Sequence, residues 1–332
     1  MVSRSFLTTY APDGGLLQSD EWAKLPSASG IKTFPFQGRG FEGIALQHVL
    51  PIIGNYLFLS RGPVTNTADL DAVALKNELV RVARLGQAHW LRIEPQTEEC
   101  LQELRHAFGK GAVVSAPRDI SPRETFRVSL DGALEEWLGR MKSKTRYNVR
   151  LAEKHGVMVR FSRAAGDVEA FIDLIYATTN RKAIAPHPKE YYRNFVAVLP
   201  ETMCTLAIAE HEGVMVAANL LVFFEGTAYY LHGGSADAKR ELMAPFLLHF
   251  KSLEEARRRG CRWYDFGGVR VRSKQDVNDM DWDGITRFKQ GFDSKSETLL
   301  FPGTYDIILS PFHYTFYRCA RFAMGIRRIL KY

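Results

Sequence analysis

The sequence has few cysteines and no long apolar run. Its four cysteines are scattered, and none belongs to a CxxC pair or a Cys/His cluster. A zinc site is therefore not expected, and the thiols are predicted to stay reduced. The longest apolar run, Val214–Phe224, is interrupted by Asn219 and is much shorter than the ~20 residues that span a bilayer. We expect no transmembrane segment.

Signals for several enzyme classes are also missing. There is no GxSxG motif, and the nine histidines have no metal-ligand spacing. Residues 38–43 match GxGxxG, but a dinucleotide loop needs a strand before it and a helix after it, and a strand is predicted after it. A glycine-rich connection is the better interpretation. We expect no metal and no cofactor. If the protein is an enzyme, it is expected to act on an already activated substrate through positioning and electrostatics.

The composition is that of a folded chain large enough for two domains. Its 332 residues are 46% hydrophobic and 12% aromatic, and the length is roughly twice the ~150-residue prior for one domain. Such a composition argues against a disordered chain or a fibre. Residues 1–15 contain no continuous apolar stretch, so no secretory signal is expected. The predicted location is the cytoplasm.

Positive charge is concentrated in one region. The net charge is +7, and residues 140–163 hold eight basic residues and one acidic residue, which accounts for the whole excess. Four of these basic residues recur every four positions and would form one basic ridge on a helix: Lys142, Arg146, Arg150 and Lys154. Like charges at this spacing repel, and an RNA backbone or a phosphorylated ligand would relieve the repulsion. A solvated surface helix is the alternative.

Hydrophobic periodicity predicts an α/β chain. Strands are predicted for residues 5–10 and for a three-strand meander over residues 203–231, and a helix over residues 133–155 is predicted to break near Gly139. A helix, a glycine and a short aromatic strand occur at residues 80–93 and again at residues 256–266. A duplicated α/β unit is one interpretation of this repeat.

The densest unexplained segment is GITRFKQGF at residues 284–292. Lys289 stands between aromatic residues, and Gly291 would let a ligand approach the backbone. Aromatic walls lower the local dielectric, so a cation there acts more strongly on developing negative charge. The alternative is a helix end whose aromatic side chains pack while the lysine extends to solvent.

Six segments are notable when taken together and in order. They are QSDEW at 18–22, RGPV at 61–64, MKSKTRYNVR at 141–150, YLHGGS at 230–235 with MAP at 243–245, YDFGG at 264–268 and RFKQGF at 287–292. Together they resemble the FemABX family, the peptidoglycan bridge-forming, tRNA-dependent aminoacyl transferases. The KSKTRYN and FKQGF segments weigh most, and the matches cover nearly the whole chain.

The resemblance implies an α/β fold of two tandem GNAT-like acyltransferase domains, with mixed sheets flanked by helices. It assigns residues 1–139 to the first domain, which a C-terminal helix over residues 310–332 completes, and residues 140–309 to the second. Some members carry a long coiled-coil arm. No heptad stretch of that length occurs in the sequence, so the shorter, arm-less type is expected.

The resemblance also implies a reaction, in which an amino acid moves from aminoacyl-tRNA to a stem-peptide amine of a UDP-linked or lipid-linked peptidoglycan precursor. It assigns Lys289 to stabilising the tetrahedral intermediate and the leaving tRNA hydroxyl, with Phe288 shaping the pocket. The basic ridge is then the candidate tRNA contact. The candidate substrate-binding residues are Trp22, Lys24, Arg61, Tyr147 and Tyr230.

Two other functions stay open. The chain could be a GNAT-like acyltransferase that uses acyl-CoA or another donor in envelope polysaccharide biosynthesis, although the Q/R-x-x-G-x-G/A loop is not visible between a strand and a helix. It could also be a non-catalytic protein that binds RNA or an anionic surface through the basic ridge and residues 318–331, which hold five basic residues and no acid. This tail could lie on anionic lipid at the inner face of the membrane, or dock on the first domain with its arginines outward.

Overall fold

The computed structural model describes residues 1–181, 185–269, 280–296 and 298–323. The helices are α1 (Arg4–Tyr10), α2 (Asp20–Ala28), α3 (Ala72–Leu85), α4 (Glu98–Phe108), α5 (Leu134–Arg140), α6 (Ser143–Lys154), α7 (Ala165–Arg181), α8 (Lys189–Val198), α9 (Ala244–Arg258), α10 (Met280–Lys289) and α11 (Pro311–Ala323). The strands are β1 (Thr33–Gly38), β2 (Phe41–Leu50), β3 (Gly54–Leu59), β4 (Val64–Thr65), β5 (Ala88–Ile93), β6 (Val113–Ser115), β7 (Glu124–Ser129), β8 (Met158–Ser162), β9 (Cys204–His211), β10 (Val214–Phe224), β11 (Thr227–Ser235), β12 (Trp263–Gly268), β13 (Thr298–Leu300) and β14 (Tyr305–Ile308). Within these ranges, no helix combines the length and the apolar character that crossing a bilayer requires.

The chain divides into two compact units. Unit 1 comprises Met1–Arg123 and the chain from Leu300 onward, and unit 2 comprises Glu124–Leu299. These boundaries differ from the predicted ones at residues 139/140 and 309/310. The reason is strand pairing, because β7 joins β12 in the sheet of unit 2 while β14 joins β5 and β6 in the sheet of unit 1. The predicted fold class, α/β with mixed sheets flanked by helices, is confirmed.

The two sheets share a central arrangement, in which three antiparallel strands are followed by a helical crossover into a parallel strand. In unit 1 the order is β1-β2-β3-β5-β14-β6, with β4 pairing to β2, and in unit 2 it is β13-β7-β12-β11-β10-β9-β8. In each sheet a crossover helix leads from one strand into its parallel neighbour: α3 leads from β3 into β5, and α9 leads from β11 into β12. The repeat predicted at residues 80–93 and 256–266 corresponds to these two helix–strand steps.

Local contacts explain how the observed secondary structure compares with the elements predicted from the sequence. Residues 5–10 form a helix rather than a strand, because the Ser3 side chain accepts the Phe6 N–H and caps α1 while Leu7 is buried. The predicted break near Gly139 in the helix over residues 133–155 is confirmed, and it lies at residues 141–142. Residues 38–43 comprise the end of β1, a tight turn at residues 39–40 and the start of β2, so the interpretation as a glycine-rich connection is confirmed.

Unit 1 contains a buried ion pair that ties three elements together. Arg92 on β5 donates from Nε and Nη2 to both carboxylate oxygens of Asp306 on β14, at 2.8 and 2.9 Å. The hydroxyl of Tyr314 on α11 donates to Asp306 at 2.9 Å, and Arg92 also donates to the hydroxyl of Tyr317 at 3.1 Å. Both charged side chains are at most 1% exposed. The pair therefore fixes the C-terminal strand and helix onto the rest of unit 1.

We predict that Asp306→Ala lowers the free energy of unfolding by about 3–5 kcal/mol, because it leaves the Arg92 guanidinium buried without its carboxylate. Chemical denaturation followed by circular dichroism measures the change. Asp69→Ala removes the exposed ion pair with Arg39 and is the matched control, for which we expect no shift in the midpoint. If Asp306→Ala behaves like this control, the buried pair does not stabilise unit 1.

Candidate functional site

Strands β11 and β12 run parallel but pair over only a short stretch. Their described pairing begins with Thr227 opposite Trp263 and ends with Tyr229 opposite Asp265. Beyond that point β11 continues along β10, and β12 continues along β7 to Gly268. The two strands therefore part, and we call the space between their ends the wedge.

A β-bulge in β11 adjoins the wedge. The register with β10 shifts so that Leu231 is the extra residue between Tyr230 and His232. The Tyr230 ring meets His249 of α9 edge-on at 4.6 Å, whereas His232 Nε2 lies 3.1 Å from the hydroxyl of Tyr191 on α8. Bulges bend a strand and redirect its side chains, and they are over-represented next to active sites. The bulge thus sends two neighbouring polar side chains to different helices.

The side chain of Lys289, at the end of α10, extends into the wedge. Its Nζ donates to the Gly268 carbonyl of β12 at 2.6 Å and lies 5.9 Å from the centre of the Tyr230 ring of β11. The side chain is 8% exposed, so the alternative of a lysine that extends to solvent is wrong. An ammonium group has three N–H donors, and the contact with Gly268 uses one of them. Among the described residues, Gly268 is the one hydrogen-bond acceptor found for this ammonium group, so its other donors could bind an oxygen that enters the wedge.

Burial sets the proton affinity of this lysine. Desolvation lowers the pKa of Lys289 to about 8, while the Asp265 carboxylate acts in the opposite direction. Asp265 is itself buried, and its Oδ1 accepts the Gly267 N–H at 2.6 Å. Gly267 has φ +71°, and a β-carbon there would come within 4.0 Å of Lys289 Nζ. Lys289 is therefore mostly charged at neutral pH and titrates only slightly above it.

Two buried polar residues that the sequence analysis did not select lie beside the wedge. His249 Nδ1 is 3.1 Å from the Tyr264 hydroxyl, and its Nε2 is 3.4 Å from the Asn219 amide nitrogen. Burial and the charge of Lys289 lower the pKa of His249 to about 3, so its ring stays neutral. The available signals were Asn219 inside the apolar run Val214–Phe224 and a histidine inside the apolar stretch at residues 246–250.

Gly233, in the YLHGGS segment, leaves space for the side chains of Tyr230 and Asn219. A β-carbon at Gly233 would lie 2.4 Å from the Tyr230 hydroxyl and 2.5 Å from Asn219 Oδ1. Any side chain at residue 233 would displace one of them. Burial also raises the pKa of Tyr230 to about 12, so its hydroxyl keeps its proton and remains a hydrogen-bond donor. Tyr230 is thus the candidate substrate-binding residue that lies beside Lys289.

The two segments that weigh most in the sequence resemblance contact each other. The Lys142 N–H donates to the Gly291 carbonyl at 2.9 Å. A β-carbon at Gly291 would lie 2.3 Å from Thr145 Oγ1 and 2.9 Å from the Phe288 carbonyl, so only glycine fits there. The start of α6 therefore holds the end of α10, the helix that carries Lys289.

Phe288 packs among aromatic side chains of unit 2. Its ring lies 4.9 Å from that of Phe246, 5.4 Å from Phe292 and 5.5 Å from His249. The aromatic ring found near the ammonium of Lys289 is that of Tyr230, and the role of Phe288 in shaping the pocket stays a prediction. Phe288 supports the site from the core of unit 2.

The basic ridge on α6 has three exposed members. Lys142, Arg150 and Lys154 are exposed. Arg146 is half-buried, and its guanidinium donates to the Leu138 carbonyl at 2.9 Å and also to the Met141 carbonyl. Arg146 thereby caps the end of α5, which a helical periodicity taken alone could not reveal.

The remaining candidates for substrate binding differ in exposure. On α6, the Tyr147 ring is 62% exposed. On α2 of unit 1, Trp22 is half-buried and Lys24 is exposed.

Arg61, also in unit 1, has partners within its own unit. It is 5% exposed, donates to the Pro122 carbonyl at 2.5 Å and lies 3.5 Å from the centre of the Phe301 ring. The guanidinium of Arg61 is therefore part of the packing of unit 1, and its role in substrate binding stays a prediction.

The thiols and the metal-binding residue types form no further site. In the part of the chain that the structure describes, no group of three or more His, Cys, Asp or Glu side chains could hold a metal ion. All four cysteines are free. Burial raises the pKa of Cys100 and Cys204 to about 12 and that of Cys261 to about 11, so these thiols are poor nucleophiles.

Similar sequences are found among curated bacterial enzymes. One is a UDP-N-acetylmuramoylpentapeptide-lysine N(6)-alanyltransferase from Weissella viridescens, 22% identical over 281 residues, with 80% of this chain and 83% of that protein covered. Another is a lipid II:glycine glycyltransferase from Staphylococcus haemolyticus (strain JCSC1435), 22% identical over 360 residues, with 84% and 85% covered.

Solved structures share the fold. FemX matches 96% of this chain and 98% of its own with a TM-score of 0.78 at 19% identity. L-PGS from Bacillus licheniformis matches 92% of this chain and 90% of its own with a TM-score of 0.55 at 13% identity.

A model of the FemAB family matches residues 101–212 and 201–321, which is more than half of the chain. The matched range contains the wedge, Lys289 and the basic ridge. The resemblance drawn from the six sequence segments is confirmed, and the chain belongs to the FemAB family.

Proposed function

We propose that this protein transfers an amino acid from aminoacyl-tRNA to an amine on the stem peptide of a peptidoglycan precursor. The observation that carries the proposal is the ammonium of Lys289, buried in the wedge with one donor bound to Gly268. The named activities of the similar alanyl and glycyl transferases support the choice of a peptidoglycan precursor as acceptor. The reaction would take place in the cytoplasm, where aminoacyl-tRNA is available.

The chemistry needs alignment and charge stabilisation. The amine nitrogen attacks the ester carbonyl carbon, the C–N bond forms, and the carbonyl oxygen becomes an oxyanion. The bond to the tRNA ribose oxygen then breaks, and the proton lost by the amine ends on that oxygen. A fixed cation in a site of low dielectric stabilises the oxyanion more strongly than water does. We assign this role to Lys289, which also faces the leaving ribose oxygen.

The neighbouring groups hold the lysine and the substrate. Tyr230 lines the wedge from β11, and its protonated hydroxyl is the proposed hydrogen-bond donor to the substrate. His249 packs edge-on against the Tyr230 ring and fixes its position. Tyr147, Trp22 and Lys24 remain proposed substrate contacts because their side chains are at least partly accessible.

The proposed tRNA contact is the exposed part of the basic ridge, formed by Lys142, Arg150 and Lys154. Three cations on one helix face, with a single acid, Glu153, among residues 140–163, fit the regular spacing of charges along an RNA backbone. Arg146 is left out because its guanidinium is bound to main-chain carbonyls.

We predict that Lys289→Met lowers turnover by about 100- to 1000-fold, the loss typical of removing one oxyanion-stabilising donor. The assay incubates the protein with radiolabelled aminoacyl-tRNAs and UDP-linked or lipid-linked muropeptide, and follows the label into the peptide. Lys295→Met removes an exposed lysine six residues away and is the matched control. Activity of Lys289→Met within a few-fold of wild type would remove Lys289 from the mechanism.

The same assay also distinguishes between the two candidate acyl donors, aminoacyl-tRNA and acyl-CoA. Acetyl-CoA replaces aminoacyl-tRNA in a parallel reaction with the same acceptors. Because the ester of aminoacyl-tRNA is the proposed donor, we expect no transfer from the thioester. Transfer from CoA without transfer from tRNA would overturn the proposed donor and favour a GNAT-like acyl-CoA reaction.

The pH dependence of turnover is predicted to have an alkaline limb near pH 8. Lys289 must carry its proton to stabilise the oxyanion, and its pKa is lowered to about 8. The rate should therefore fall as pH rises through that value. Asp265→Asn removes the carboxylate that opposes the effect of burial, so the limb should move to lower pH. Rate profiles at saturating substrates test this, and a rate that rises through pH 8 would assign Lys289 as a base instead.

Charge reversal on the ridge should weaken RNA binding. Arg150→Glu with Lys154→Glu is expected to lower the affinity for aminoacyl-tRNA and to reduce the slope of log K against log salt by about 1.4–1.8, because each of the two lost phosphate contacts contributes about 0.7–0.9. Lys32→Glu with Lys110→Glu changes the net charge equally at exposed positions of unit 1. Filter binding at several salt concentrations measures both pairs, and an equal effect of the two would show that only net charge matters.

A further inference from the structure

Helix α11 has a buried face and an apolar exposed face. Tyr314 and Tyr317 are 6% and 2% exposed and pack into unit 1. Phe312, Phe316 and Phe322 are 77%, 44% and 92% exposed. At 3.6 residues per turn, these three phenylalanines occupy an arc of about 120° on the side opposite the tyrosines. Phe312 and Phe322 therefore contribute little to the packing of the described part of unit 1.

A strained apolar turn belongs to the same part of unit 1. The turn between β2 and β3 is closed by the Ile53 N–H donating to the Leu50 carbonyl, and both side chains lie in the core cluster that contains the two tyrosines of α11. Between them, Ile52 is 96% exposed and has φ +72°. A β-branched residue is unfavourable in the left-handed region, and glycine or asparagine is usual at this turn position. The backbone conformation at Ile52 therefore lowers the stability of the fold, and burial of its side chain does not offset this loss.

The charges around α11 are mostly positive. Helix α11 holds two arginines, Arg318 and Arg321, and no acidic residue, and Arg318 is exposed. Nearby, the pKa of Arg118 is lowered, first by burial and then by the charges of Arg321 and Arg92. The carboxylate of this cluster, Asp306, is bound through both oxygens by Arg92. The surroundings thus favour an anionic partner.

We propose that the outer face of α11 and the Ile52 turn together form a surface that docks on an anionic lipid bilayer. The phenylalanine and isoleucine side chains enter the boundary between headgroups and acyl chains, and Arg318 meets the lipid phosphates. A second copy of this chain is a poorer occupant, because a symmetric contact would bring the arginines of both copies together.

This surface goes beyond the proposed transferase activity. A protein docked in this way would meet an acceptor that is linked to lipid rather than to a soluble carrier. Vesicle binding is measured without any turnover, so the failure of the surface and the failure of the proposed reaction give separate results.

The test is co-sedimentation of the full chain with phosphatidylcholine vesicles, with and without phosphatidylglycerol. We expect binding to the anionic vesicles that weakens with salt, and an affinity about tenfold lower for Phe312→Ser with Phe322→Ser, since binding scales with buried apolar area. Val73→Ser with Leu85→Ser removes two side chains of α3 that are 70% and 60% exposed, and should leave binding unchanged. Equal binding of the wild type and both variants would overturn the proposal.

Ile52→Gly separates a docking role from a structural one. Glycine relieves the strained φ, so the melting temperature should rise while vesicle binding weakens. Gln87→Gly relieves φ +49° at another exposed position of unit 1 and should raise stability without affecting binding. Should the double phenylalanine variant instead convert a dimer into a monomer in light scattering, with vesicle binding unchanged, the surface would be a contact between copies and the proposal would fail.

Discussion

A parallel strand pair that separates before its strands end leaves main-chain groups that need other partners, and this constraint organises the site in unit 2. Strands β11 and β12 stop pairing after Tyr229 and Asp265. The carbonyl of Gly268, beyond that point, accepts a hydrogen bond from the ammonium of Lys289. The end of α10 supplies this lysine because the close contact at Gly291 holds the helix against the start of α6. The separation of β11 and β12 thus makes the Gly268 carbonyl available to Lys289 and provides the space in which the ammonium of Lys289 is buried.

Unit 1 has the same helical crossover between parallel strands as unit 2, but the ends of its two parallel strands make different contacts. Its parallel strands β3 and β5 pair to their ends. There the Glu94 N–H donates to the Leu59 carbonyl at 3.2 Å, and the Glu94 carboxylate accepts from the main-chain N–H and the hydroxyl of Ser121, both at 2.7 Å. The strand sequences HWLRI and RWYDF align Arg92 with Asp265. In unit 1 the charge of Arg92 is paired with Asp306, whereas in unit 2 the charge of Asp265 acts on the buried ammonium of Lys289.

The sequence predicts well what depends on local pattern and poorly what depends on distant neighbours. Strand Ala88–Ile93 and the repeated helix–strand step follow from periodicity alone, and the FKQGF segment draws attention to Lys289, which the structure buries. The burial of Lys289 depends on two strands far away in sequence, so the pattern could not choose between a buried and a solvated side chain. Arg146 fits the ridge by spacing, yet its guanidinium reaches back to another helix. Asn219 and His249 are single polar residues in apolar segments, and only the tertiary structure brings them together.

Strand β14 gives the protein an unusual order of assembly. It lies between β5 and β6 in the sheet of unit 1, although it is followed only by the last helix of the chain. During synthesis the ribosome releases all of unit 2 before Tyr305–Ile308 emerges. Unit 2 can complete its own sheet while the N-terminal unit waits with β5 and β6 unpaired on their inner edges. The half made first therefore completes its sheet after the other, and the nascent chain has to protect those edges until β14 emerges.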